Sequence, residues 1–320
     1  MTLYPLFPLQ PALIEAVKST YGLETNEEAC QPAISRRFLN KMFEVKNAPE
    51  VEKQDLVIQH DGLKVSVSIL RPLGSQDKVL PVLMFLHGGG WVVGGYETHS
   101  GLSNSLVVGL SCCVVFVNYS KSPEVKYPVP IKEGSAVLSW MKKNSESLRI
   151  DYKTLVVAGD SAGGNLAAGL ALHEKALGNN DISFQLLIYP ATHDNFETES
   201  YIQNQDNMFL PRDLMRYFWD AYSDDAEDRK KNTMVPLVAT LQELKGLPPA
   251  FVISAEHDVL RCETEAYASK LIEAGVNTVT VRYLDTNHGF LSEAVLSSQG
   301  VLAVQQVIDV LRKHWDLKKI

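Results

Sequence analysis

Between Val157 and Ala168 the chain reads VAGDSAGGNLAA. An apolar run ends, an acid and a serine follow, and a run of small, helix-forming residues begins. That change of pattern places Ser161 at a strand-to-helix turn, in the spacing Gly159-x-Ser161-x-Gly163. Such a turn is sharp and brings neighbouring backbones together, leaving no space for side chains two residues before and after the serine. The glycines clear that space, and the hydroxyl projects alone. The helix that starts there points its first N–H groups at the same spot and favours negative charge.

The alternation of short apolar run and longer helical pattern continues in both directions. Runs at 82–86 (VLMFL), 112–117 (CCVVFV), 154–159 (TLVVAG), 184–189 (FQLLIY), 250–255 (AFVISA) and 278–284 (TVTVRYL) are mostly apolar without interruption. Strands covered on both faces look like this. Their order predicts an α/β fold with a mostly parallel central sheet, flanking helices and right-handed crossovers. Upstream, DLVIQHDGLKVSVSILRP has two extended runs around an Asp61-Gly62 turn and reads as a hairpin at one sheet edge.

Two segments depart from the alternation. Residues 1–50 carry helical patterns (PALIEAVKSTYG, ISRRFLNKMFEV) without a strand signal. The stretch after the 184–189 run includes LPRDLMRYFWDAYSDD, in which Leu214, Tyr217, Phe218 and Tyr222 suit an amphipathic helix with a proline in its first turn. Residues 1–50 and an insertion at about 191–245 are read as a helical cap over the carboxyl edge of a catalytic domain spanning 51–320. The alternative is that they pack behind the sheet.

Over 320 residues, 45% hydrophobic and 21% charged composition belongs to a packed globular chain, not a disordered one. A formal charge of -8 argues against nucleic acid as a partner, because phosphate binding needs clustered cations. The basic end, LRKHWDLKKI, reads as the last turns of a helix. Cys30, Cys112, Cys113 and Cys262 are too few and too scattered for a disulfide framework. The N-terminus lacks the basic start of a signal peptide, and no apolar stretch is long enough to cross a bilayer. A cytoplasmic protein without membrane insertion is expected, with a homodimer open to it.

A serine hydroxyl is a poor nucleophile without a base, and the base needs an orienting acid. In a sheet of this kind the partners follow in the order serine, acid, histidine, each on a loop beyond a strand's carboxyl end. After the 250–255 run comes EHDVLR, with Glu256 and Asp258. After the 278–284 run comes DTNHGF, with His288. Asp258 is preferred to Glu256 because it lies further past the strand end and just before a helical run; Asp285 is a third choice. His60, His173 and His314 fall in a turn or in helices, and His257 shares the acid's loop. Asp160 is read as a support that points away from the hydroxyl.

Attack on an ester creates an oxyanion, which needs preorganised N–H donors. One would come from Ala162, just after the serine. Others belong after an earlier strand, where VLMFLHGGGWVVGG supplies Gly88, Gly89 and Gly90. Neither a Walker-type nor a dinucleotide glycine pattern is present, so a phosphate cradle is disfavoured. His87 has no partner at metal-ligand spacing and is read as holding the glycine loop; no metal is expected. Trp91, Val92, Val93, Phe209, Met215, Phe218 and Trp219 could line an apolar substrate pocket or simply be core.

With HGGGW at 87–91, GDSAGG at 159–164, Asp258 and HGF at 288–290, the chain resembles the hormone-sensitive-lipase family of α/β-hydrolases over about residues 50–318. The resemblance implies a carboxylesterase for short- to medium-chain esters, without a cofactor. It implies Ser161 as nucleophile, His288 as base and Asp258 as acid. Gly89, Gly90 and Ala162 would be the oxyanion donors, with Gly88 shaping the turn. It also implies the two-part cap. Two departures stand out: YSKSPE at 119–124 replaces the frequent Y-R-L-A-P-E, and Val259 stands where a proline is common. An amidase or N-deacetylase on the same residues is the rival within this chemistry. A small-molecule receptor that has lost the chemistry is the rival outside it.

Overall fold

A computed structural model describes residues 5–207, 209–292 and 297–316. Its strands are β1 (Glu52–His60), β2 (Leu63–Arg71), β3 (Leu80–Leu86), β4 (Cys113–Asn118), β5 (Ile150–Asp160), β6 (Phe184–Ile188), β7 (Ala250–His257) and β8 (Thr278–Asn287). They form one eight-stranded sheet in the order β1-β2-β4-β3-β5-β6-β7-β8. β2 runs antiparallel to both its neighbours, and the other pairs are parallel. A mostly parallel sheet with an edge hairpin is what the apolar runs and the Asp61-Gly62 turn predict, and the whole is the α/β-hydrolase architecture that the resemblance implies.

The helices are α1 (Pro11–Tyr21), α2 (Asn26–Ala29), α3 (Pro32–Met42), α4 (Tyr96–Leu110), α5 (Val129–Lys143), α6 (Ala162–Ala176), α7 (Glu199–Gln203), α8 (Arg212–Tyr222), α9 (Leu241–Leu244), α10 (Arg261–Glu273) and α11 (Ser298–His314). Alternate residues of the central strands feed two cores. Val82, Met84, Leu86, Val157 and Leu187 pack with α5, α6 and α10 on one face. Leu83, Phe85, Phe116, Val156 and Ile253 pack with α4 and α11 on the other. Both faces are covered, which is why these strands read as unbroken apolar runs.

Of the strand boundaries that differ from the sequence reading, two have a clear local cause or consequence. Cys112 is not in β4, because its N–H donates to Val107 O at 3.3 Å and closes the end of α4. β8 runs on to Asn287, paired opposite His257, and so delivers His288 directly from a strand end.

Helix α4 leaves β3 toward one face and α6 leaves β5 toward the other. The adjacent carboxyl ends of β3 and β5 therefore border a crevice, the place where open α/β sheets bind ligands. The glycine loop follows β3 and Ser161 follows β5. Beside them α8 buries Met215, Phe218, Trp219 and Tyr222 on one stripe, while Leu214 and Tyr217 are only half-buried. Pro211 caps this helix from outside its first turn. The N-terminal segment reaches the same region: the Phe7 ring lies 5.2 Å from Tyr217 and 5.9 Å from Phe218.

Candidate active site

Ser161 sits between β5 and α6 with φ 55° and ψ -121°, a strained backbone for any residue with a Cβ. Surrounding bonds hold it there. Its N–H donates to Ile188 O at 2.8 Å, and its carbonyl accepts from Asn165 N and Ala191 N at 2.9 and 3.2 Å. The buried Asn165 side chain donates to Ala191 O and Met234 O at 2.7 and 2.8 Å, fastening α6 to the start of the insertion and to its later part. Gly163 shows why the turn demands glycine: a Cβ there would lie 1.9 Å from Leu86 O, which is backbone and cannot swing aside. Gly163→Ala is expected to cost about 3 kcal/mol or more in stability, or to prevent folding. Gly178→Ala, at φ +81° with open space, should cost only about 1 kcal/mol; thermal unfolding of the pair checks this.

The structure brings Ser161, His288 and Asp258 into one hydrogen-bonded chain. His288 Nε2 lies 2.9 Å from Ser161 Oγ, and His288 Nδ1 lies 2.7 Å from Asp258 Oδ2. A carboxylate only accepts, so Nδ1 carries the proton and Nε2 offers its lone pair to the serine hydroxyl. The Asp258 side chain is fully buried and His288 nearly so. Both oxygens of Asp258 are engaged, since Oδ1 accepts from Leu260 N at 2.9 Å. Glu256 is directed elsewhere and accepts from Asp285 N at 2.7 Å. Asp285 and His257 remain on the outer surface of that loop.

The glycine loop faces the same crevice. Gly89 has φ +105°, and a Cβ on it would come 2.4 Å from Val93 O. Among the described residues no acceptor takes the N–H of Gly89 or Gly90. Asp160 is turned from the serine hydroxyl and anchors the loop's start: Oδ1 accepts from Gly88 N at 2.9 Å, and Oδ2 lies 3.3 Å from His99 Nε2. Burial pushes the His87 pKa well down, so its ring is neutral. Its Nδ1–H donates to Gly88 O at 2.7 Å, and the ring stacks on Tyr119, whose hydroxyl donates to His87 O at 2.7 Å.

An α/β-hydrolase-fold family model matches residues 83–292. The chain is 35% identical over 270 residues to the carboxylesterase NlhH of Mycobacterium tuberculosis, covering 83% of each protein. Among solved structures, a fungal esterase from Rhizomucor miehei superposes with TM-score 0.87 at 40% identity, covering 98% of both chains. A thermostable esterase from Pseudomonas putida superposes with TM-score 0.86 at 36% identity over the full length of both. The chain belongs to the α/β-hydrolase family. Its type is that of the hormone-sensitive-lipase carboxylesterases.

In this α/β-hydrolase the aromatic residues near the loop occupy two different settings. Trp91 is fully buried, stacked on Tyr222 at 4.4 Å and beside Trp219 at 4.8 Å. Val92, Met215 and Trp219 are also sealed from solvent. Phe218 lies against the loop itself, its ring 2.2 Å from where a Gly90 Cβ would be. Phe209 is 42% exposed. The sequence reading missed His99, Arg36, Asn40 and Tyr189, whose ring lies 4.8 Å from that of His288. A signal existed for His99 alone: it shares an inward helical stripe with Leu102, Leu106 and Leu110, so a polar group there must find a buried partner.

Among the described residues no cluster of three or more His, Cys, Asp or Glu side chains is placed to hold a metal ion. No helix there is long and apolar enough to cross a membrane.

Proposed function

We propose that this carboxylic ester hydrolase acts by two-step acyl transfer through Ser161. The observation that carries the reading is the continuous chain from Asp258 through His288 to Ser161, ending beside free loop amides. His288 Nε2 takes the hydroxyl proton as Ser161 Oγ attacks the ester carbonyl. The amides of Gly89, Gly90 and Ala162 stabilise the oxyanion, each worth roughly 10²- to 10³-fold. His288 returns the proton to the departing alcohol, then activates a water that attacks the acyl enzyme. Asp258 fixes the tautomer and stabilises the imidazolium.

The N-terminal segment and the 191–245 insertion act as the cap, a reading supported by the contact of Phe7 with α8 beside the glycine loop. Phe218 packs against Gly90 and closes the oxyanion loop with an aromatic ring, and we read the substrates as short- to medium-chain esters rather than long glycerides. A panel of p-nitrophenyl esters from acetate to palmitate, with matched anilides, tests the assignment. Hydrolysis should peak among the shorter esters and be much slower for every anilide. A preference for palmitate would reject the chain-length reading, and faster anilide cleavage would make the enzyme an amidase.

A further inference from the structure

Helix α3 grips the glycine loop. Arg36 and Asn40 are four residues apart on it and so lie one above the other on one face. Arg36 Nε donates to Val92 O and Nη2 donates to Ser122 O at 2.9 Å. The same guanidinium forks onto Glu124, with contacts of 3.1 and 2.7 Å. Asn40 exchanges two bonds with Gly94, accepting from its N–H at 2.8 Å and donating to its carbonyl at 3.4 Å. Between these grips, Val92 N and Val93 N both donate to Gly89 O, at 3.0 and 2.9 Å. The turn held by α3 is therefore the one that sets the Gly89–Gly90 peptide plane. Ser122 N also donates to Trp91 O at 2.9 Å, so the second carbonyl held by Arg36 belongs to a segment already bonded to that turn.

The departure at YSKSPE fits this arrangement. Ser120, at the place of the frequent arginine, bonds to Glu133 through its N–H and hydroxyl. The guanidinium that meets Glu124 comes from the N-terminal segment. Its bonds to Val92 O and Ser122 O are partly buried, whereas its pairing with Glu124 lies at the surface.

We propose that Arg36 and Asn40 are positioning residues for the oxyanion site: α3 splints the turn in the geometry at which the Gly89 and Gly90 amides meet the developing charge. The inference rests on the reading of those amides as oxyanion donors. It assigns the N-terminal segment a part in turnover as well as in admitting substrate. Donors act on the transition state only where they are aimed at the oxyanion, and a displacement near 1 Å is enough to lose about 100-fold.

The test uses the full chain with Arg36→Ala, Arg36→Lys and Asn40→Ala, each checked for folding by circular dichroism. For a p-nitrophenyl ester, kcat should fall roughly 10- to 100-fold while KM stays within about threefold. Affinity for an aryl trifluoromethyl ketone, which adds to the serine and places an oxyanion in the site, should fall in step with kcat/KM. Lysine should not restore the rate, because one ammonium cannot reproduce the planar fork, whereas guanidinium at sub-denaturing concentration should partly rescue Arg36→Ala. A raised KM with unchanged kcat would overturn the splint and leave α3 a lid. Unchanged kinetics in Asn40→Ala, the milder change, would overturn it even if Arg36→Ala failed to fold. Ser161→Ala run alongside separates the two readings. If it is inactive while the α3 variants keep kcat, only the splint falls; if it keeps the wild-type rate, the oxyanion reading falls too.

Discussion

Ser161→Ala should lower turnover of p-nitrophenyl esters by about 10⁶ or to background, with the folded structure intact. The loss is chemical because nothing else depends on the hydroxyl. The bonds that keep residue 161 in its strained turn are made by its backbone N–H and carbonyl, and alanine retains both. Alanine also has the same Cβ, so the backbone strain is unchanged. Without Oγ, His288 has no proton to take and no acyl enzyme forms. Any residual rate would come from substrate binding and the loop amides acting on water, about 10³-fold over the uncatalysed reaction. Circular dichroism and thermal unfolding should match the wild type. A variant that kept a substantial fraction of the wild-type rate would remove Ser161 from the mechanism.

Asp258→Asn should cost about 10⁴ in kcat near neutral pH, about 5 kcal/mol of transition-state stabilisation. The bond from Leu260 N to Oδ1 decides which way the substituted amide faces. That N–H needs an acceptor, so the amide oxygen stays toward Leu260 and the NH₂ turns toward His288 Nδ1. The amide then donates where the carboxylate accepted, the imidazole proton moves to Nε2, and the lone pair that receives the serine proton is gone. Glu256→Gln is the comparison. Glu256 holds Asp285 N at the loop surface, so its change should leave kcat nearly unaltered. The opposite ranking of the two variants would move the acid's role to Glu256.

The geometry also shows where local reading succeeds. A Gly-x-Ser-x-Gly turn between an apolar run and an alanine-rich helix has one economical backbone path, so its residues announce it. The partner of His288 was less legible. Glu256 and Asp258 lie two positions apart at the end of one strand, where the pairing register shifts between Ala255 and His257, and only the folded loop shows that Asp258 meets His288 while Glu256 meets Asp285 N. The tryptophans were less legible still. Trp91 follows the glycine loop in sequence, yet its ring packs away among Trp219 and Tyr222 of α8. No pattern within either segment predicts that pairing.

What the sequence by itself determined is the sheet, the order of its strands along the chain, and which loops carry Ser161, Asp258 and His288. These follow from local periodicity together with the rule that loops at the carboxyl ends of parallel strands share one edge of the sheet. What only the tertiary structure decided is how far each side chain reaches: Asp258 to His288, Asp160 to Gly88 and His99, Arg36 and Asn40 to the turn beyond Gly90. Each of those contacts joins elements distant in the chain through a backbone angle or a packed helix face. A local pattern specifies which face a residue takes, but the partner across the gap is set by the whole fold.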